Sequence, residues 1–186
     1  IKNKKDFKFG VIYDKYTIPR ENEKTAETLN PEKKIIIGLL GGIDINRRDY
    51  PLLIDSLQLL DKNILNKISF LILGNSLNEE APEIIRNLKN VVETKVIKSY
   101  LSEDQFQYYG SMCSFLCSPL RDSKPCGTLT GTGGIGDFVA LSRKMILPKK
   151  VDPLEEFSKF CLYFNHKREL ATILRDIVVN NKSGML

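Results

Sequence analysis

Residues 35–60 read IIIGLLGGIDINRRDYPLLIDSLQLL, and this stretch decides the fold. Its first six residues are isoleucine and leucine around Gly38, the pattern of a strand covered on both faces. The run ends at Gly41 and Gly42, and a polar segment with Asp44, Asn46, Arg47 and Arg48 follows. Pro51 then stands where a first helical turn tolerates it, and Leu53, Leu57 and Leu60 fall on one stripe. The order is strand, glycine turn, helix.

The same unit recurs downstream. Residues 67–73 read as a second buried strand closed by Gly74 and Asn75, before a helix in which Ile84, Ile85 and Leu88 share a face and Asn78 is a candidate cap. Residues 91–97 read as a third strand. Ser102 with Gln105 makes a capping box that opens a helix through Tyr109. Residues 112–118 read as a fourth strand, 133–142 as a helix, 145–147 and 159–164 as strands, and Asn165 as the cap of a last helix carrying Leu170, Ile173, Leu174 and Ile177.

Strands alternating with helices of about ten residues imply βαβ units, so the expected architecture is a doubly wound, Rossmann-like parallel sheet with helices on both faces. Upstream, residues 7–13 read as a short strand and the polar run before residue 35 as a loop. The expected organisation is a strand and inter-domain linker region over 1–34 and one Rossmann-like domain over 35–186. Starting at Ile1 without Met or an apolar signal region, the sequence reads as a piece of a longer protein.

Composition narrows the function classes. The 186 residues are 42% hydrophobic and 27% charged, ordinary for a globular domain. No apolar run approaches the roughly 20 residues of a membrane span. A net charge of +5, scattered without basic stripes, argues against nucleic acid and fits anionic ligands or an anionic membrane surface. Cys113, Cys117, Cys126 and Cys161 match neither a zinc pattern nor a disulfide scaffold, and Cys113 and Cys117 read as buried thiols. A reducing compartment, the cytoplasm, follows, with the inner face of the membrane as a further expected location.

In doubly wound sheets ligands lie beyond the carboxyl ends of the strands, which directs attention to the turns there. Gly41 and Gly42 permit close approach of a diphosphate, and Arg47 and Arg48 stand just before a helix N-terminus, where guanidinium groups and free amides bind phosphate. A solvated basic pair is the plain alternative. Five of the twelve glycines lie between Gly127 and Gly136. Gly131, Gly133 and Gly136 spell GxGxxG, but a polar loop separates them from the preceding strand, which does not suit a nicotinamide dinucleotide site. The alternative is a phosphate cradle of amides over Thr130, Gly131, Thr132, Gly133 and Gly134, with Asp137 accepting hydrogen bonds from sugar or ribose hydroxyls. Tight packing, capping and first-turn charge would account for the same residues without a ligand. Tyr100 is placed to stack on a base or to pack like Phe106, Tyr108 and Tyr109. His166, the single histidine, reads as a capping-region surface residue rather than a general base.

Taken together, IIIGLLGGIDINRRDYPLLIDSL, ISFLILGN, VIKSYLSEDQFQYYGSMCSFLCSPLRDS, GTLTGTGGIGDFVALSRKMILP and FNHKRELATILRDI resemble, in that order, the C-terminal, nucleotide-sugar-binding half of GT-B glycosyltransferases. FGVIYDKY resembles the strand and turn before that domain. The resemblance implies a donor half that binds a nucleoside-diphosphate sugar and transfers the glycosyl group to a sugar or lipid-linked acceptor. The acceptor would be held by an N-terminal domain outside this chain. A role in building a surface polysaccharide or glycoconjugate, with no cofactor and no metal, is also implied. Two positions depart from the pattern. The two glutamates of many retaining members match Leu129 and Asp137, so one acidic group remains. The arginine and lysine after the turn glycine fall on Ile43 and Arg48, so the diphosphate role rests on Arg48 with Arg47 beside it. Retaining and inverting outcomes both stay open. Two other classes remain beside this one: a nicotinamide-dependent oxidoreductase fragment using residues 131–136, and a non-catalytic interaction module.

Overall fold

A computed structural model of the chain describes residues 34–75, 79–98, 101–121, 137, 140–155 and 157–180. The expected strand at 7–13, all of the strand and linker region over 1–34 except Lys34, and Asn78, Tyr100, Cys126, Leu129 and the glycine loop from Thr130 to Gly136 lie outside them. Six strands form one parallel sheet: β1 (Ile35–Leu40), β2 (Ile68–Leu73), β3 (Thr94–Ile97), β4 (Phe115–Cys117), β5 (Met145–Pro148) and β6 (Cys161–Phe164). Their order is β3-β2-β1-β4-β5-β6. The winding therefore reverses between β1 and β4, which makes that crevice the topological switch point.

The strands bury both faces because their alternate residues are apolar on both. Ile37, Leu39, Ile68, Phe70, Ile72, Phe115, Cys117 and Ile146 point to one side. There they meet α1 (Tyr50–Leu57), α3 (Ala81–Val91) and α5 (Lys167–Val179), with the one-turn α2 (Lys62–Leu65) adding Ile64. Leu40, Leu71, Leu73, Leu116, Met145 and Leu147 point to the other side, against Phe106 and Tyr109 of α4 (Glu103–Ser111) and against Leu141 and Phe157. Each fully buried Leu, Ile or Phe contributes about 1.5–3 kcal/mol, so this two-sided burial is what fixes the winding.

Local signals set the helix starts. Asp49 caps α1, its carboxylate accepting from the Leu52 N–H at 3.1 Å, and Pro51 sits in the first turn. Ser102 and Gln105 form the reciprocal capping box at α4. The last helix differs from expectation. His166, not Asn165, is its cap, with Nδ1 accepting from the Glu169 N–H at 3.4 Å. Asn165 instead donates its own N–H to Glu169 Oε2 at 2.6 Å, an upstream group answering the carboxylate of the first turn.

Three strand boundaries also shift. Val91 belongs to the end of α3 and β3 begins only at Thr94, because Leu88 and Val92 bury their side chains from the helix end. Met112 and Cys113 close α4, the Cys113 N–H donating to Gly110 O at 3.0 Å, and β4 starts at Phe115. β6 starts at Cys161 rather than 159. Within the expected helix over 133–142, Asp137 and Ala140 are helical, and Ser142 leaves the helix with φ of 50°. Cys113, Cys117 and Cys161 are buried free thiols, as expected for the first two. Among the described residues no helix is long and apolar enough to cross a membrane.

Candidate functional site

The turn after β1 is the best-defined part of the carboxyl edge. Gly41 has a φ of +89°, a conformation glycine adopts without strain. Gly74, at the corresponding place after β2, has a φ of +156°, and a Cβ there would lie 2.3 Å from Gly41 O. The two glycine turns thus touch backbone to backbone. Their spacing is held by Gly41 N–H to Leu73 O (2.9 Å) and Ile43 N–H to Asn75 O (2.8 Å).

Beyond the glycines the chain folds tightly around Asp44. Its Oδ1 accepts from Asn46 N–H at 2.9 Å, and its carbonyl accepts from Arg48 N–H at 2.9 Å. This local turn, typical of Asp, delivers Arg48 to the switch point. Arg48 forms an antiparallel bridge with Leu120, just past β4. Arg121 N–H donates to Arg47 O at 2.9 Å, and Asp49 N–H donates to Pro119 O at 2.6 Å. The turns after β1 and β4 are therefore laced together across the crevice.

The Arg48 side chain folds back so that Nη2 donates to Leu40 O, the last carbonyl of β1. Nη2 also lies 3.1 Å from where a Cβ on Gly41 would be, so a side chain at 41 would crowd the guanidinium. Arg48 Nη1 is buried with no hydrogen-bond partner among the described residues, as are the Tyr50 hydroxyl and Arg121 Nε. Buried donors without acceptors are rare in folded proteins, and the orphaned Arg48 Nη1 at the switch point marks a place where an external acceptor fits. The neighbouring Cys117 thiol is pushed up to about 12 by burial, so it contributes no charge.

Asp137 completes the cluster. It is half-buried in the helical segment before β5. Burial pushes its carboxyl up to about 6, against the attraction of Arg48 and with repulsion from Glu103 in the first turn of α4. Three separate pieces of chain, the β1 turn, the start of α4 and the helix before β5, thus bring Arg48, Glu103 and Asp137 within electrostatic reach. A cation with free donors beside a carboxyl able to accept hydroxyls can take an anionic group carrying a polyol.

Of the residues singled out from sequence, Gly41, Gly42, Arg48 and Asp137 come together at this edge. Arg47 is exposed and is held there through its carbonyl. Tyr100 and the run from Thr130 to Gly134 lie outside the described residues. Sequence reasoning missed Tyr50, Glu103 and Arg121. The capping box had placed Glu103 in a first turn on the ligand edge, and Arg121 follows β4 directly. For Tyr50 there was no signal beyond a phenol next to Arg48. Among the described residues no three of His, Cys, Asp and Glu gather as a metal-binding group.

No protein-family model matches the sequence, and no curated protein matches it. Solved structures do superpose on it. Anabaena HepE in complex with UDP and glucose gives a TM-score of 0.61 at 13% identity over 86% of this chain and 42% of its own. A trehalose-6-phosphate protein from E. coli bound with UDP-2-fluoro glucose gives 0.58 at 12% identity over 87% of this chain and 40% of its own. The chain has the Rossmann-like fold that these GT-B glycosyltransferase structures contain. The catalytic domain of cholesterol-α-glucosyltransferase from Helicobacter pylori gives 0.51 at 12% identity over 78% of this chain and 89% of its own. The chain spans about two-fifths of the length of the first two of these enzymes. At such identities the likeness is one of fold.

Proposed function

We propose that the chain is the donor half of a glycosyltransferase, binding a nucleoside-diphosphate sugar at the switch point between β1 and β4. The observation that carries the reading is Arg48, held at the crevice with a buried, unpartnered Nη1 and electrostatically coupled to Asp137. In this reading Arg48, with Arg47 at the rim, meets the charge that develops on the departing nucleoside diphosphate. Gly41, Gly42 and the amides of Thr130 to Gly134 let the phosphates approach. Asp137 accepts from ribose or sugar hydroxyls and Tyr100 stacks on the base. Preorganised donors of this kind are worth several kcal/mol where charge develops, about 10²–10³ in rate for one donor, so the chemistry assigned to this half needs no metal. UDP or a UDP-sugar bound in two solved structures of like fold supports the donor class.

The acceptor, a sugar or lipid-linked group, would be held by a further domain outside this chain. The modest positive charge fits work at the inner face of a membrane on a surface polysaccharide or glycoconjugate. Isothermal titration of the chain with UDP, GDP and ADP, with their glucose conjugates, and with NAD and NADP tests the reading. Binding of one nucleoside diphosphate but neither nicotinamide cofactor is expected. Binding of none returns the chain to the interaction-module class.

A further inference from the structure

Tyr50 lies in the first turn of α1 and is fully buried, 0% exposed, among the aliphatic residues between the sheet and α1. Phenylalanine would fill that space equally well. The hydroxyl is the anomaly, since it is sealed from water and makes no well-formed hydrogen bond, with the Arg48 guanidinium as the donor in reach of it. Burial pushes the phenol up, while the adjacent Arg48 guanidinium pulls it the other way; Asp44 and Cys117 are the other titratable groups facing it. The carbonyl and Oδ1 of Asp44 are already engaged by Arg48 N–H and Asn46 N–H. Cys117 is a buried neutral thiol.

The guanidinium of Arg48 is thus bounded on one side by Leu40 O, which takes Nη2, and on another by the Tyr50 phenol. Nη1, the remaining buried donor, has no acceptor. Beside it, the phenol oxygen stands as an acceptor for one of the two Nη1 hydrogens, the other being left to an anion. That fixes the plane of the guanidinium and leaves its other donors for an anion, since the fork is rigid once two of its hydrogens are spent.

We propose that Tyr50 is a positioning residue for Arg48: from beneath the β1 turn its hydroxyl sets how the guanidinium meets the diphosphate of the donor. The proposal rests on the donor-binding reading and adds to it a residue that touches no substrate.

The test is a double-mutant cycle on the 186-residue chain, with UDP and inorganic pyrophosphate as titrants and thermal unfolding alongside. Tyr50→Phe keeps the ring and is expected to weaken both titrants roughly tenfold, the worth of one hydrogen bond to a charged group, with the melting temperature unchanged or raised. In the Arg48→Ala and Arg48→Lys backgrounds, which lack Nη1, Tyr50→Phe is expected to have no further effect. Wild-type affinity in Tyr50→Phe overturns the proposal, as does equal weakening in all three backgrounds, while Arg48→Ala alone would still report on the donor site. Failure of the wild-type chain to bind UDP, GDP, ADP or pyrophosphate overturns the donor-binding reading itself.

Discussion

Two part-buried arginines stand at opposite edges of the sheet, and the structure treats them differently. Arg143, just before β5 on the amino edge, donates Nε to Cys113 O (2.7 Å), Nη2 to Ser111 O (2.9 Å) and Nη1 to Ser142 O (3.2 Å) and Leu141 O (3.3 Å). Arg48, on the carboxyl edge, gives Nη2 to one carbonyl and leaves Nη1 buried and unpartnered. The first guanidinium is consumed in closing the end of α4 and the left-handed turn at Ser142 onto β5. The second has donors to spare. Burial of an arginine therefore says little about its role; the inventory of its donors separates a clamp from a binding group.

Substitutions sharpen this contrast. Arg143→Ala orphans four backbone carbonyls and is expected to cost about 2–4 kcal/mol in chemical denaturation, with nucleotide affinity of the folded fraction unchanged. Loss of affinity without loss of stability would reverse the assignment. Arg48→Ala should behave oppositely, lowering nucleoside-diphosphate affinity about 30- to 100-fold by titration while unfolding within about 1 kcal/mol of wild type. Gly74→Ala perturbs the site through the backbone. Its Cβ collides with Gly41 O, so about 1–3 kcal/mol of stability and part of the affinity should fall together.

Asp137 gives a pH-dependent version of the comparison. Its folded value near 6 lies above the ordinary 3.8, so the native state holds the extra proton between those values. Stability on its account falls as pH rises through that window and stays lower above it. Asp137→Asn is expected to gain about 1–2 kcal/mol at pH 7.5, after screening, and nothing at pH 3. The same change should weaken nucleotide binding, and a stability gain at both pH values would argue against the buried-carboxyl account. At the small end, His166→Asp replaces a long 3.4 Å cap with a better one and should add roughly 0.5 kcal/mol, with no effect at the carboxyl edge.

Much of this was legible in the sequence, for identifiable reasons. β1 and β2 were readable because six-residue runs with five large apolar residues each, closed by glycine, leave little else to form. The α4 start was readable because its capping box is a local hydrogen-bond pattern. β3 and β4 were overextended because Val91, Met112 and Cys113 are apolar helix-end residues, indistinguishable by type from strand residues. α2 is a single turn, too short for any periodicity to register. Arg48 and Asp137 were each marked by position, but their proximity, and the clamp by Arg143 on carbonyls some 30 residues away, exist only once the sheet order is fixed. The unpaired hydroxyl of Tyr50 was invisible for the same reason.

The contact between Gly41 and Gly74 has a consequence for anyone rebuilding this domain. Two loops that are separate in sequence share one wall, so they form a single splice unit. A graft, an insertion or a randomised library that alters the turn after β2 will reshape the turn after β1 as well, and with it the seat of Arg48. Transplanting this edge between domains of the same fold would require exchanging residues 41–48 and 74–75 together.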